Sequence, residues 1–160
     1  MRIFLKSAFF AILLPGTVTV LIPWLILNHA HASIQWSLRR LPPLAILAAG
    51  VIILMRCIWD FAVSGRGTLA PVDPPKHLVV RGLYRYVRNP MYIGLLLVLL
   101  GEAWLFRSGA LLVQAGIAFA LVHSFVLLYE EPHLRRQFGS SYVSYCHDVN
   151  RWLPRKPDLH

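Results

Sequence analysis

Acid is scarce in this 160-residue chain: seven Asp and Glu stand against 16 Lys and Arg, and all charged residues together make only 14%. Soluble domains carry about 25% charged and about 45–50% apolar residues. Here apolar residues reach 57% and mean hydropathy is +0.57, so the excess has to face something other than water. Cysteine is nearly absent as well. Cys57 lies in an apolar run and Cys146 in a polar one, which excludes a disulfide framework and paired metal-ligand spacing, so no metal is expected. There is no strand–GxGxxG–helix unit, because Gly65-Arg66-Gly67 is too short and precedes a proline-rich loop. The net charge of +9 would suit nucleic acid, but that needs a basic patch with stacking aromatics. Long apolar runs separate the charges here, so no nucleic-acid partner is expected.

What is present is a series of greasy segments approaching the roughly 20 residues that cross a hydrocarbon core of about 30 Å. They run over about Ser7–Leu27, Leu41–Val63, Met91–Phe106 and Ala110–Tyr129. The third is short, and Arg107-Ser108-Gly109 turns it tightly into the fourth. The expected architecture is an all-α membrane bundle of about four transmembrane helices forming one domain over 1–160. Within it, 1–63 holds two spans, 64–90 a loop, 91–129 a helical hairpin and 130–160 a C-terminal segment. The first segment also has features of a signal peptide, with Arg2 and Lys6 ahead of it and Ala30-His31-Ala32 after it. Its apolar stretch is longer than the usual 7–15 residues, which favours a retained helix. Twelve of the 16 basic residues fall in the N-terminus, the second connection and the tail, so both termini and the large loop are expected on the cytoplasmic side. Arg39 and Arg40 run against this arrangement.

The loop from Ser64 to Lys76 is rich in Gly and Pro and reads as irregular. In the tail, Leu134, Phe138 and Tyr142 recur every fourth residue, the stripe of an amphipathic helix. Such a helix would lie on the membrane surface or act as a lid.

Ionisable groups within apolar spans are costly and mark candidate sites. Arg56 and Asp60, four apart, can pair on one helical face. Glu102 and Arg107 bracket one end of the third span. His123 shares a face with Glu130, as an interhelical histidine or a pocket residue. Glu130-Glu131 close the fourth span just before Pro132, at a helix C-terminus that disfavours acids. They call for cationic compensation from Arg85, Arg88, Arg135, Arg136 or a ligand. Before the third span, Asn89-Pro90 reads as an N-cap followed by a first-turn proline.

Four ordered motifs stand out: Arg81-Gly82-x-Tyr84-Arg85-Tyr86-Val87-Arg88-Asn89-Pro90-Met91-Tyr92-x-Gly94, Glu130-Glu131-x-x-Leu134, Phe138-Gly139-x-x-Tyr142-x-x-Tyr145 and Arg151-Trp152-x-Pro154. Together they resemble the isoprenylcysteine carboxyl methyltransferase family, and the related phospholipid methyltransferases share much of the pattern. The resemblance covers about Gly65 to Pro154. It implies an integral membrane methyltransferase that uses S-adenosylmethionine, in a bacterial-type inner membrane with its site facing the cytoplasm. The expected partners are the lipid bilayer and a small or lipophilic methyl acceptor. By the same resemblance, Leu78, Val79, Tyr84, Asn89, Pro90, Met91, Tyr92 and Glu130 match cofactor-binding positions, with Lys76 and His77 aligned by spacing. Arg88 and Glu131 are the candidate catalytic residues, Arg88 to orient an anionic group and Glu131 as the second acid. His123, Val126 and Leu127 are candidates for the acceptor pocket.

The chemistry suits these residues. Methyl transfer is an in-line displacement, so positioning and desolvation do most of the work. Acids can hold an ammonium or ribose hydroxyls, and tyrosines can pack on a sulfonium. The chain also departs from the pattern. Asn89 stands where the prenyl-protein branch usually has His, and Asn150 where Pro is usual. Val126 occupies the position of the arginine that binds the prenylcysteine carboxylate, which argues against that substrate and leaves carboxyl, amine and thiol acceptors open. The competing expectation is a non-catalytic accessory or small-molecule binding protein on the same scaffold.

Overall fold

The computed structural model describes residues 15–29, 38–64, 78 and 80–155. Among them the architecture is all-α with no strand. Helix α1 spans Thr17–His29, beginning with a π turn over Thr17–Leu21. A 3-10 turn at Leu38–Arg40 leads into α2, Leu41–Ser64. A second 3-10 turn, Gly82–Arg85, precedes α3, Pro90–Leu105. The connection at Arg107-Ser108 is tight, as the sequence suggests: Arg107 takes φ 51° and Ser108 caps α4, Gly109–Phe125, by accepting from the Leu111 amide. A π turn at Val126–Glu130 carries α4 straight into α5, Glu131–Phe138, and Gly139 then separates α5 from α6, Ser140–Asp148.

Among the described residues, two stretches are long and apolar enough to cross a membrane, Leu38–Asp60 and Gly109–Phe138. Of the expected first span, residues 7–14 lie outside the described residues and the rest falls largely in the apolar helix Thr17–His29; the expected third appears as the shorter apolar helix Pro90–Leu105. At 1.5 Å per residue the 16 residues of α3 reach only about 24 Å, less than the hydrocarbon thickness. Large apolar side chains such as Ile52, Trp59, Val113 and Leu121 point outward and are exposed, the pattern of helices that face lipid.

Small residues bring α2 and α3 together. A methyl group on Gly50 would meet the Gly94 carbonyl oxygen at 2.7 Å, and one on Gly101 would meet the Leu47 backbone nitrogen at 2.8 Å. Close approach of backbones is how helices associate without a hydrophobic drive between them. Around this seam lies a core of Leu54, Leu95, Val98, Leu99 and Ala115, with Val18 and Met91 packed against it. In α1, Pro23 supplies no amide donor to the preceding turn, and the Val18 carbonyl instead accepts from Gln114 Nε2 at 2.8 Å. That bond ties α1 to α4.

A second core sits beyond the bundle. Tyr142, Tyr145 and Val149 are buried together, with Leu78, Leu134, Phe138 and Cys146 against them. This corrects the single amphipathic helix expected from the spacing of Leu134, Phe138 and Tyr142. Gly139 adopts φ 53°, ψ −127°, a conformation open essentially to glycine, and breaks the stripe into two short helices that fold on each other. The double acid is corrected too. Glu130-Glu131 do not end a helix, because the π turn absorbs Pro132 and the chain continues helical to Phe138.

Candidate functional site

The site lies where four pieces of chain converge: the end of α2, the 3-10 turn and start of α3, the α4–α5 junction, and the residues after α6. Gly82 makes the first contact possible. It takes φ +55°, and a side chain there would strike the Asp60 carboxylate, so its bare backbone seats the turn on α2. Arg56 pairs with the same Asp60 at 3.7 Å, the pairing their spacing suggests. Two residues after Gly82, Tyr84 hydrogen-bonds with Cys57, which has no exposed surface. Its carbonyl accepts from the Tyr145 hydroxyl at 2.7 Å. Burial pushes both phenols, Tyr84 and Tyr145, above their ordinary pKa, so they stay neutral donors.

Pro90 occupies the first turn of α3 as its sequence position suggests. Asn89 does not cap it. Its side chain makes no capping bond and donates through Nδ2 to the Arg151 carbonyl at 3.3 Å. The tail has drawn this side chain away because the backbone after α6 runs antiparallel beside Tyr86–Arg88. The Arg88 amide donates to the Asn150 carbonyl at 2.9 Å, and the Arg155 amide to the Tyr86 carbonyl at 2.8 Å. Residues 150–155 thus form a strap across the entry to α3.

The two adjacent acids part company. Tyr92 donates to Glu130 Oε2 at 3.1 Å. Glu131, with only 8% of its side chain exposed, takes both donors of Arg151, Nε at 2.6 Å and Nη2 at 2.9 Å, and pairs with Arg88 Nη1 at 3.0 Å. Parallel N–H bonds from one guanidinium to one carboxylate are the strong, directional form of this contact. Hydrogen bonding to Glu131 in turn holds the Arg151 pKa above its usual value. Arg88 Nη1 also donates to Cys146 Sγ at 2.8 Å, while its Nε is buried without a hydrogen-bond partner among the described residues. Among the same residues no cation pairs with Glu130.

The candidate residues therefore separate into groups. Tyr84, Tyr92 and Glu130 gather at the junction; Arg88 and Glu131 bind each other beside it. Leu78 and Met91 support the two cores, and Pro90 is fully buried. Of the pocket candidates, Val126 is buried, Leu127 is exposed on the outer surface, and His123 accepts from Trp152 Nε1 at 3.2 Å with Phe119 stacked on its ring. Lys76, His77 and Val79 lie outside the described residues.

The sequence calls for a cation beside the double acid and offers Arg85, Arg88, Arg135 and Arg136; of these Arg88 pairs with Glu131, and the other partner, Arg151, is not among the candidates. Arg151 stands 20 positions from Glu131, beyond the reach of any local spacing rule. Cys57, Tyr145 and Trp152 were likewise not singled out, although all but Cys57 fall within the quoted motifs.

The profile of the phospholipid methyltransferase family matches residues 38–141, which include α2, the pre-α3 turn, Tyr92 and the double acid. A phosphatidylethanolamine N-methyltransferase of the fungus Talaromyces marneffei is 33% identical over 69 residues. That match spans 43% of this chain but only 7% of the fungal enzyme's length. No solved structure matches the chain. With about two thirds of its length, and all of the junction except the strap, inside the matched segment, the chain is a membrane protein that belongs to the phospholipid methyltransferase family.

Proposed function

We propose that this chain is an S-adenosylmethionine-dependent methyltransferase that acts on the amine of a phospholipid head group. The observation that carries the reading is Glu130: a carboxylate at the junction of the bundle and the C-terminal helices α5 and α6, hydrogen-bonded by Tyr92 and matched by no cation among the described residues. An acid left in that condition suits a cationic, hydroxyl-bearing ligand, and Glu131 beside it is already satisfied. Partly buried tyrosines on the same junction suit a sulfonium, whose charge an aromatic face attracts. When bound, the cofactor supplies an electrophilic methyl group on that sulfonium. Glu130 would hold the ligand's ammonium or ribose hydroxyls, Tyr92 would fix the carboxylate's direction, and Tyr84 would wall the site from the α2 side. Arg88 and Glu131, bound to each other, would stiffen the frame.

The amine acceptor is supported by family membership and by the name of the fungal relative. It also fits Val126, whose buried apolar side chain stands where a carboxylate-binding arginine would be needed for prenylcysteine. We further place the chain in a bacterial inner membrane, with four spans and both termini cytoplasmic. In this arrangement α1 and α3 complete the crossing begun by the two longer helices, and the site opens to the cytoplasm.

Calorimetry in detergent tests the cofactor site. Glu130→Gln is expected to cost roughly 1.5–3 kcal/mol of S-adenosylmethionine binding, the worth of a charge-assisted contact. Unchanged affinity in a folded variant rejects Glu130 as ligand, and no saturable heat from the unaltered protein favours the non-catalytic alternative. Transfer of labelled methyl to phosphatidylethanolamine vesicles, with a farnesylcysteine analogue as comparison, tests the acceptor. Faster turnover of the analogue rejects the amine assignment.

A further inference from the structure

The strap is held by more than backbone pairing, and one residue ties it to two other elements at once. Arg151 spends its fork on Glu131, and its carbonyl receives Asn89 at the start of α3. It therefore joins the tail to both elements that carry the candidate ligands Tyr92 and Glu130. Without it, Glu131 would keep Arg88 on Oε1 and lose the partner of Oε2. A half-compensated carboxylate would then stand directly beside Glu130, competing for any cation brought to the site and repelling the neighbouring charge. Other strap contacts, among them Arg88 to Asn150, Arg155 to Tyr86 and to the His147 carbonyl, and Trp152 to His123, do not involve this side chain.

We infer that Arg151 is a positioning residue of the methyl-transfer site, whose two-pronged hold on Glu131 reserves Glu130 as the one acid that meets the cofactor. The inference rests on the function proposed above. It makes the double acid unequal: one carboxylate belongs to the frame, the other to the ligand.

The test measures S-adenosylmethionine binding by calorimetry on the full chain in detergent, for wild type, Arg151→Ala, Arg151→Lys and the double variant Arg151→Ala with Glu131→Gln. Removing the fork is expected to weaken binding about tenfold or more, as Glu131 loses two charge-assisted bonds and keeps only Arg88 on Oε1. Lysine, which keeps the charge without the fork, should recover part of the affinity. Adding Glu131→Gln to Arg151→Ala should bring affinity back to within about threefold of wild type, because the half-compensated charge is gone while the glutamine oxygen and Cys146 still accept from Arg88. A strap that merely unfolded would not recover in this way. Alkylation of Cys146 gives a second readout: it is partly exposed and engaged by Arg88, so a loosened strap should raise its rate in Arg151→Ala and less in Arg151→Lys. Binding by Arg151→Ala within about twofold of wild type, or a double variant as weak as the single one, overturns the inference while the functional reading stands. Should Arg151→Ala fail to fold, full affinity in Arg151→Lys overturns it and intermediate affinity supports it. Absence of binding by wild type overturns both together.

Discussion

Replacing Gly50 with alanine tests the seam on which the site is built. The added methyl would lie 2.7 Å from the Gly94 carbonyl oxygen, 2.7 Å from the Val98 amide nitrogen and 2.9 Å from Val98 Cγ2. Comfortable separations between carbon atoms are about 3.5–4.0 Å, so α3 must retreat by roughly 0.5–1 Å. Two of the three atoms are backbone, so a change of rotamer gives no relief. Overpacking of this kind costs about 1–3 kcal/mol. For a chain of this size each kcal/mol moves the midpoint by about 2–4 °C, so thermal unfolding in detergent should drop by about 2–12 °C. Gly116→Ala is the control. It meets nothing within 4 Å and exchanges a poor helix former for the best, so its midpoint should hold or rise. Equal midpoints for the two variants would refute the claim that glycine at position 50 is there for close backbone approach.

Trp152→Phe keeps an aromatic ring against Phe119 and His123 but removes the indole donor to His123; it should cost about 0.5–1.5 kcal/mol in the same melt, and no change would mean the bond contributes nothing. In the folded protein a water-soluble maleimide should label Cys146 and spare Cys57, which is fully buried against Tyr84. Comparable labelling of Cys57 would contradict the seating of the pre-α3 turn on α2. Labelling of Cys146 from the outer face of intact cells would reverse the proposed topology.

Helix positions were the most legible part of this chain. The bounds of α2, α3 and α4 lie close to those of long, mostly apolar runs, and Arg107-Ser108-Gly109 marks the hairpin turn by composition alone. Local rules failed where a distant segment outbid them. Asn89 has the right identity and place for an N-cap, yet its amide goes to a carbonyl 62 residues away, because the strap offers a partner that the sequence places out of view. The stripe through Leu134, Phe138 and Tyr142 kept its buried face but not its helix. Periodicity registers which side chains are apolar and is blind to the one glycine with φ 53° that folds the stripe back on itself. For the site, the residue types were legible and the pairing was not. That Glu130-Glu131 needed a cation follows from electrostatics; that Arg151 supplies most of it follows only from the fold.

The same reasoning explains why the double acid looked like a helix end. In Glu-Glu-Pro after an apolar run the proline is a strong local signal for termination, since it removes a donor and crowds the preceding carbonyl. The structure resolves this by widening the turn before it, with the Glu131 amide reaching back to the Val126 carbonyl, five residues away. α1 does the same: its π turn ends at Leu21, two residues before Pro23, just as this one ends at Glu130, two before Pro132. Short π segments inside α-helices concentrate at functional places because they alter the direction of side chains without breaking the rod. In α1 the altered turn exposes the Val18 carbonyl to Gln114 and ties two helices. At the second site it falls between two carboxylates, one directed to Tyr92 on α3 and the other to Arg88 and the strap. Proline here does not stop the helix. It sets the joint at which an apolar bundle turns one acid toward α3 and the other toward the strap.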